Sequence, residues 1–106
     1  MNAEDLLAFQ IKAAGLPEPV RQYYYARPRK LRADFSFPEH RLLIEIQGGI
    51  FMKRGGAHGS ITGILADLDR LNAATLAGFY MLRFTPDQVK TGEALAVIEK
   101  ALEIYR

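Results

Sequence analysis

The sequence predicts a single α/β domain built on a mixed sheet, with the element order α-β-β-β-α-β-α. Three observations predict it. Helix-spaced apolar stripes occur at Ala3, Leu7, Ile11 and Ala14, and again at Ile61, Ile64, Leu65, Leu68, Leu71 and Thr75. Two short apolar runs, ADFSF and RLLIEIQ, flank a Pro38-Glu39-His40-Arg41 turn in the manner of a β-hairpin. A strand-like run, FYMLRF, follows the second stripe and precedes a closing amphipathic segment, TGEALAVIEKALEIY.

In chain order, Asn2 is placed to cap a first helix over residues 3–14, and Gly15 stops it. The LPEP turn then leads into VRQYYYA, whose β-branched and aromatic residues favour a strand, ended by Pro28. The hairpin follows and closes at Gly48 and Gly49. The glycine-rich stretch over residues 48–59 disfavours regular structure and reads as a mobile lid or binding loop. Ser60 can cap a second helix over residues 60–77, with Gly78 in the position that ends it. Thr85-Pro86 opens a short turn or helical piece. The crossover through the second helix is expected to bring the fourth strand parallel to the third, with right-handed chirality.

A chain of 106 residues is expected to form one domain that buries roughly two thirds of the surface its unfolded form exposes. Hydrophobic residues at 49% and charged residues at 25% are the balance of a globular protein, not a disordered one. The lack of cysteine excludes a disulfide framework and a thiolate zinc site, and makes a reducing, cytoplasmic location the expectation. No apolar run reaches the roughly 18 residues that span a bilayer, and the acidic start MNAED is unlike a signal peptide, so no membrane partner is expected. The net charge of +2 is modest, but its distribution is uneven. Arg27, Arg29, Lys30 and Arg32 put four cations into six residues, and Lys53 and Arg54 add two beside the glycines. Such clusters can neutralise phosphates; the alternative is a solvated face that binds nothing.

The chemistry centres on an acid in each arm of the hairpin. If the loop is residues 38–41, Phe37 stands opposite Leu42, and counting outward puts Asp34 opposite Glu45 with both side chains on one face. Like charges so placed repel unless a cation lies between them or one is protonated. Gln47, two residues on, adds a third oxygen donor to that face. Hard oxygen ligands without cysteine suit Mg²⁺ or Mn²⁺. The alternative is that Asp34 pairs with Arg32 or another cation while Glu45 faces solvent. A register slip of one residue would produce that outcome.

The run RADFSFPEHRLLIEIQGG resembles the catalytic hairpin of the PD-(D/E)XK nuclease superfamily, and the α-β-β-β-α-β order is similar to the restriction-endonuclease-like core, here with a C-terminal helix. The composite resembles a compact single-domain branch common in phages. The resemblance implies that Asp34 and Glu45 are metal ligands, that the Ile46 carbonyl adds another oxygen, and that the third side chain is usually Lys. This chain has Gln47 there, which can hydrogen-bond a water but supplies no positive charge. Arg70 on the second helix, or Lys53, could supply it. Asp67 and Arg70 share a flank at helical spacing, as an ordinary surface pair would, while Asn72 falls inside the apolar stripe, where an unsatisfied amide would be costly. Glu4 and Gln10 flank the first helix's stripe and either help the metal shell or, as the more ordinary reading, border the core. His58 could act as a base or touch phosphate; His40 has no assigned role. The tyrosines at 23, 24 and 25 read as core and sheet surface before base-stacking platforms.

These residues lead to the expectation of a divalent-metal-dependent DNA endonuclease, with a homodimer if two cuts are coordinated. A non-catalytic nucleic-acid-binding module that kept the fold, and a small interaction domain without a nucleic-acid partner, are the alternatives. Metal-dependent cleavage and salt-dependent DNA binding separate the three.

Overall fold

The computed structural model describes residues 1–47 and 61–105. Its elements are α1 (Ala3–Ala13), β1 (Val20–Tyr24), β2 (Arg32–Phe37), β3 (Leu42–Ile46), α2 (Ile61–Leu76), β4 (Tyr80–Phe84), a short α3 (Pro86–Lys90) and α4 (Glu93–Ile104). A single 3₁₀ turn over Pro38–His40 joins β2 to β3. The sheet is four-stranded and mixed, in the order β1-β2-β3-β4, with β1 and β2 antiparallel to their successors and β4 parallel to β3. The expected element order and the expected parallel crossover are therefore present.

Local signals act where they were read. The Asn2 side chain accepts the Asp5 N–H at 2.8 Å, and Gly15 takes a left-handed φ of 73° after the helix end. Thr85 and Gln88 form a reciprocal capping box that starts α3. Phe37 pairs with Leu42 as expected, because the 38–41 turn closes with Arg41 in the left-handed region at φ 56°. β1 ends at Tyr24, earlier than the VRQYYYA run suggested, because the Tyr25 N–H is turned to the Leu31 carbonyl inside the β1–β2 loop.

Helices cover both faces of the sheet. On one face Leu7 and Ile11 of α1, Val89 of α3, and Ile98 and Leu102 of α4 pack on Phe35, Phe37, Leu42 and Ile44. On the other, Tyr25, Ala33, Leu43, Ala74 and Phe79 form a smaller cluster under α2. β3 is thus enclosed on both faces, which is why it reads LLIEI, and each large apolar side chain it buries contributes about 1.5–3 kcal/mol.

The apolar stripe of α2 is not what holds that helix. Ile61, Ile64, Leu65 and Leu68 are exposed, and the buried residue is Ala74. The helix docks through small residues near its C-terminus and through polar anchors. Arg41 donates to the Ala77 and Gly78 carbonyls and lies 4.1 Å over the Phe79 ring, which closes the end of α2. Asn72, expected within a buried stripe, is exposed and needs no internal partner, because the face it shares is solvated. No described helix is long and apolar enough to cross a membrane.

Candidate metal and phosphate site

β2 and β3 begin to part beyond Phe35↔Ile44, the last pair before the acids. There the Asp34 carboxylate takes the place of a main-chain acceptor: its Oδ2 receives the Ile46 N–H at 2.8 Å. The register from Phe37↔Leu42 to Phe35↔Ile44 is the expected one, but it ends before the acids, and the two carboxylates do not simply face each other. Asp34 turns into the gap between the strands, and Glu45 turns toward α2 and β4.

Glu45 is buried in the central strand and is compensated by two arginines. Arg70 of α2 pairs with its Oε2 and also donates to the Arg32 carbonyl at 2.8 Å. Arg83, level with Glu45 on the parallel neighbour β4, brings its Nε to 3.4 Å from Oε1. Burial pulls the Arg70 guanidinium down and Glu45 more than restores it, so the net direction is upward. The expected Asp67–Arg70 surface pair is replaced, since Arg70 is drawn inward to Glu45 and Asp67 lies 4.0 Å from Arg83. Tyr25 completes the surroundings, with the Arg70 guanidinium 6.0 Å from its ring; burial pushes its hydroxyl up, and that buried hydroxyl has no hydrogen-bond partner among the described residues.

Among the described residues Asp34 forms no ion pair. It is half-buried, and burial pushes its carboxyl above the ordinary range, countered by the Ile46 N–H; Glu4 pushes it further up, and Gln22 and Arg70 pull it down. Glu4 thus reaches this site from α1, where the core-bordering role was the expectation. Its Oε2 is held by Arg21 at 2.8 Å and by the Gln22 amide at 3.2 Å. Gln22 stands opposite Asp34, between the Arg21↔Phe35 and Tyr23↔Ala33 pairs, and adopts φ 52°, a strained backbone for a residue with a Cβ. Gln10 takes the ordinary role, donating to the Val89 carbonyl at 3.0 Å and tying α1 to α3.

The donor set fits a hard divalent cation. Asp34, Glu45 and the Ile46 carbonyl are all oxygen donors, and Asp34 bears a burial cost that a cation would relieve. Among the described residues no three acids or histidines gather into a closed cage. Mg²⁺ does not require one, because it commonly takes one or two carboxylates together with waters and substrate phosphates. Gln47 follows β3 directly, its main-chain N–H fixed by the Phe84 carbonyl at 2.8 Å, so it stands where the parallel strands β3 and β4 both end. His58, Lys53 and Arg54 lie outside the described residues.

Of the basic segment, Arg29 is paired with Asp69 of α2 and is not a free cation, whereas Arg27, Lys30 and Arg32 are exposed. Two cavities, of about 310 and 510 Å³, lie away from the acids: the first between α1 and the approach to β1, the second beside α2, β4 and α4.

Sequence reasoning missed Arg83, Gln22 and Tyr25. Arg83 was within reach of it: it is the only charge in FYMLRF, and a parallel β4 beside β3 puts it next to Glu45. Gln22 had no signal, because its role depends on a strained φ that no residue type announces. No family model, curated protein or solved structure matches the chain.

Proposed function

We propose that this chain is a divalent-metal-dependent nuclease with a PD-(D/E)XK-type core, hydrolysing DNA phosphodiester bonds. The observation that carries the reading is Asp34 at the parted end of the β2–β3 hairpin, half-buried, in no ion pair among the described residues and, like Glu45, one residue beyond the Phe35↔Ile44 pair. The α-β-β-β-α-β order and the position of both acids where β3 and β4 end support it.

Asp34, Glu45 and the Ile46 carbonyl would hold Mg²⁺ or Mn²⁺, with Glu4 nearby. When bound, the ion would supply an activated water and neutralise charge on the phosphate. Gln47 is the candidate to orient that water through its amide. Arg70 and Arg83 hold two guanidiniums around Glu45, beside the position where Gln47 replaces Lys. Coordinated cutting of two strands would require a second copy of the chain.

One observation favours the binding-module reading instead: Glu45 is already compensated by Arg70 and Arg83, as a structural ion cluster would be. Cleavage of labelled DNA duplexes, flaps, junctions and single strands with Mg²⁺, Mn²⁺ or EDTA separates the two. In the nuclease reading Gln47→Ala lowers the single-turnover rate about tenfold to a hundredfold, the worth of one positioned hydrogen bond, and Gln47→Lys retains or raises it. Equal rates for the wild type and Gln47→Ala remove Gln47 from the site. No cleavage of any substrate by the wild type or either variant leaves the binding module.

A further inference from the structure

β1 is an edge strand, and Tyr24, its last residue, remains 37% exposed. The guanidinium carbons of Arg27 and Arg32 stand 5.4 and 5.7 Å from its ring centroid. Both lie over the ring but farther from it than Arg41, which sits 4.1 Å over Phe79, and too far to be in stacking contact. Arg27 and Arg32 are exposed, and neither pairs with a carboxylate of a described residue. That condition is local. Arg21, on the same strand, is taken up by Glu4 and Asp5, and Arg29, in the same loop, by Asp69.

The arrangement is held in place before any ligand arrives. The Arg29 N–H bonds the Ala26 carbonyl at 2.8 Å, the Tyr25 N–H bonds the Leu31 carbonyl at 3.2 Å, and the Arg29–Asp69 pair ties the loop to α2. The Arg32 carbonyl is gripped by Arg70, the arginine that also holds Glu45. Less ordering entropy is then lost on binding.

We infer that Tyr24, Arg27 and Arg32 form a docking platform for unpaired nucleic acid, with a base against the ring and the neighbouring phosphates on the two guanidiniums. An aromatic face flanked by uncommitted cations matches a single strand in both respects. A duplex presents phosphates while its bases stay stacked, and an acidic peptide presents charge without a planar partner. Arg32 stands two residues before Asp34 on β2, roughly 7 Å along the strand, so a chain held here enters beside the acids. The substrate class that follows is DNA with a single-stranded arm, an overhang or a flap; this step to cleavage rests on the nuclease reading above, while the binding itself does not.

The chain has no tryptophan, so Tyr24→Trp places a single indole reporter on the platform. The full-length variant is titrated in EDTA with oligothymidylate of about a dozen nucleotides, a blunt duplex of equal length, and poly-glutamate. Saturable quenching by oligothymidylate, with weaker binding of the duplex and no response to poly-glutamate, is expected. Replacing Arg27 and Arg32 together by Ala should raise the Kd about tenfold and flatten its dependence on salt by roughly one phosphate contact each. Tyr24→Ala, followed through the anisotropy of a labelled oligothymidylate, should weaken binding about tenfold and does not depend on the indole. Unchanged affinity in Tyr24→Ala, equal affinity for the duplex, or equal quenching by poly-glutamate overturns the platform. Binding in EDTA without cleavage in Mn²⁺ defeats the nuclease reading alone, and cleavage without quenching defeats the platform alone.

Discussion

In the proposed nuclease, Asp34→Asn is expected to lower metal-dependent cleavage by about three orders of magnitude, because it would remove a ligand anion from an ion worth several kcal/mol of charge stabilisation at 1.36 kcal/mol per decade. The same substitution should stabilise the metal-free protein at neutral pH. The Asp34 carboxyl is pushed up by burial, so its contribution to stability is fully present below the ordinary carboxylate range, near about 3.9, and is lost as pH rises through its higher folded value. Asn carries no such loss and can still accept the Ile46 N–H. The urea midpoint of the variant in EDTA should therefore gain on the wild type as the pH rises above the ordinary carboxylate range. Ala is the poorer probe, since it would orphan that N–H at about 1–3 kcal/mol. Mn²⁺ at about a hundredfold excess over its Kd should stabilise the wild type by about 2.7 kcal/mol and the variant far less. A variant that cleaves at the wild-type rate, or that takes the same stabilisation from Mn²⁺, removes Asp34 from the site.

Gly78→Ala is expected to cost about 3 kcal/mol and to lower the melting temperature by more than about 10 °C. Two terms add. Gly78 has φ 88°, and placing a Cβ in the left-handed region costs about 1–2 kcal/mol. The new Cβ would also stand 2.6 Å from Arg41 Nη2, the group that seals the last carbonyls of α2. Arg41 must then withdraw and surrender hydrogen bonds worth about 1 kcal/mol or more. The second term disappears in an Arg41→Ala background, so a double-mutant cycle should show Gly78→Ala costing less there, with a coupling of about 1 kcal/mol. Equal costs in both backgrounds would mean that Arg41 does not hold the helix end. The position matters for the site as well, because Arg70 reaches Glu45 from the same helix.

The hairpin and the helix ends were legible in the sequence because they depend on neighbours in the chain. Asn2, Gly15, Gly78 and Thr85-Pro86 act over a few residues, and the length of the 38–41 turn set the β2–β3 register. The parallel placement of β4 followed from the crossover helix alone. For α2, the apolar spacing gave the right helix and the wrong face. Periodicity reports which residues share a side, and it does not report whether that side meets the sheet or the solvent.

The site divides along the same line. The amino-acid sequence by itself determined the element order, the hairpin, and the presence of Asp34 and Glu45 at matching places in its two strands. Only the tertiary structure decided what each acid meets: Asp34 the Ile46 N–H, Gln22 and the charge of Glu4, and Glu45 the guanidiniums of Arg70 and Arg83. Those partners come from α1, β1, β3, α2 and β4, up to 38 residues from the acids they meet, and the pairing of the strands with α1 and α2 packed on them is what brings them together.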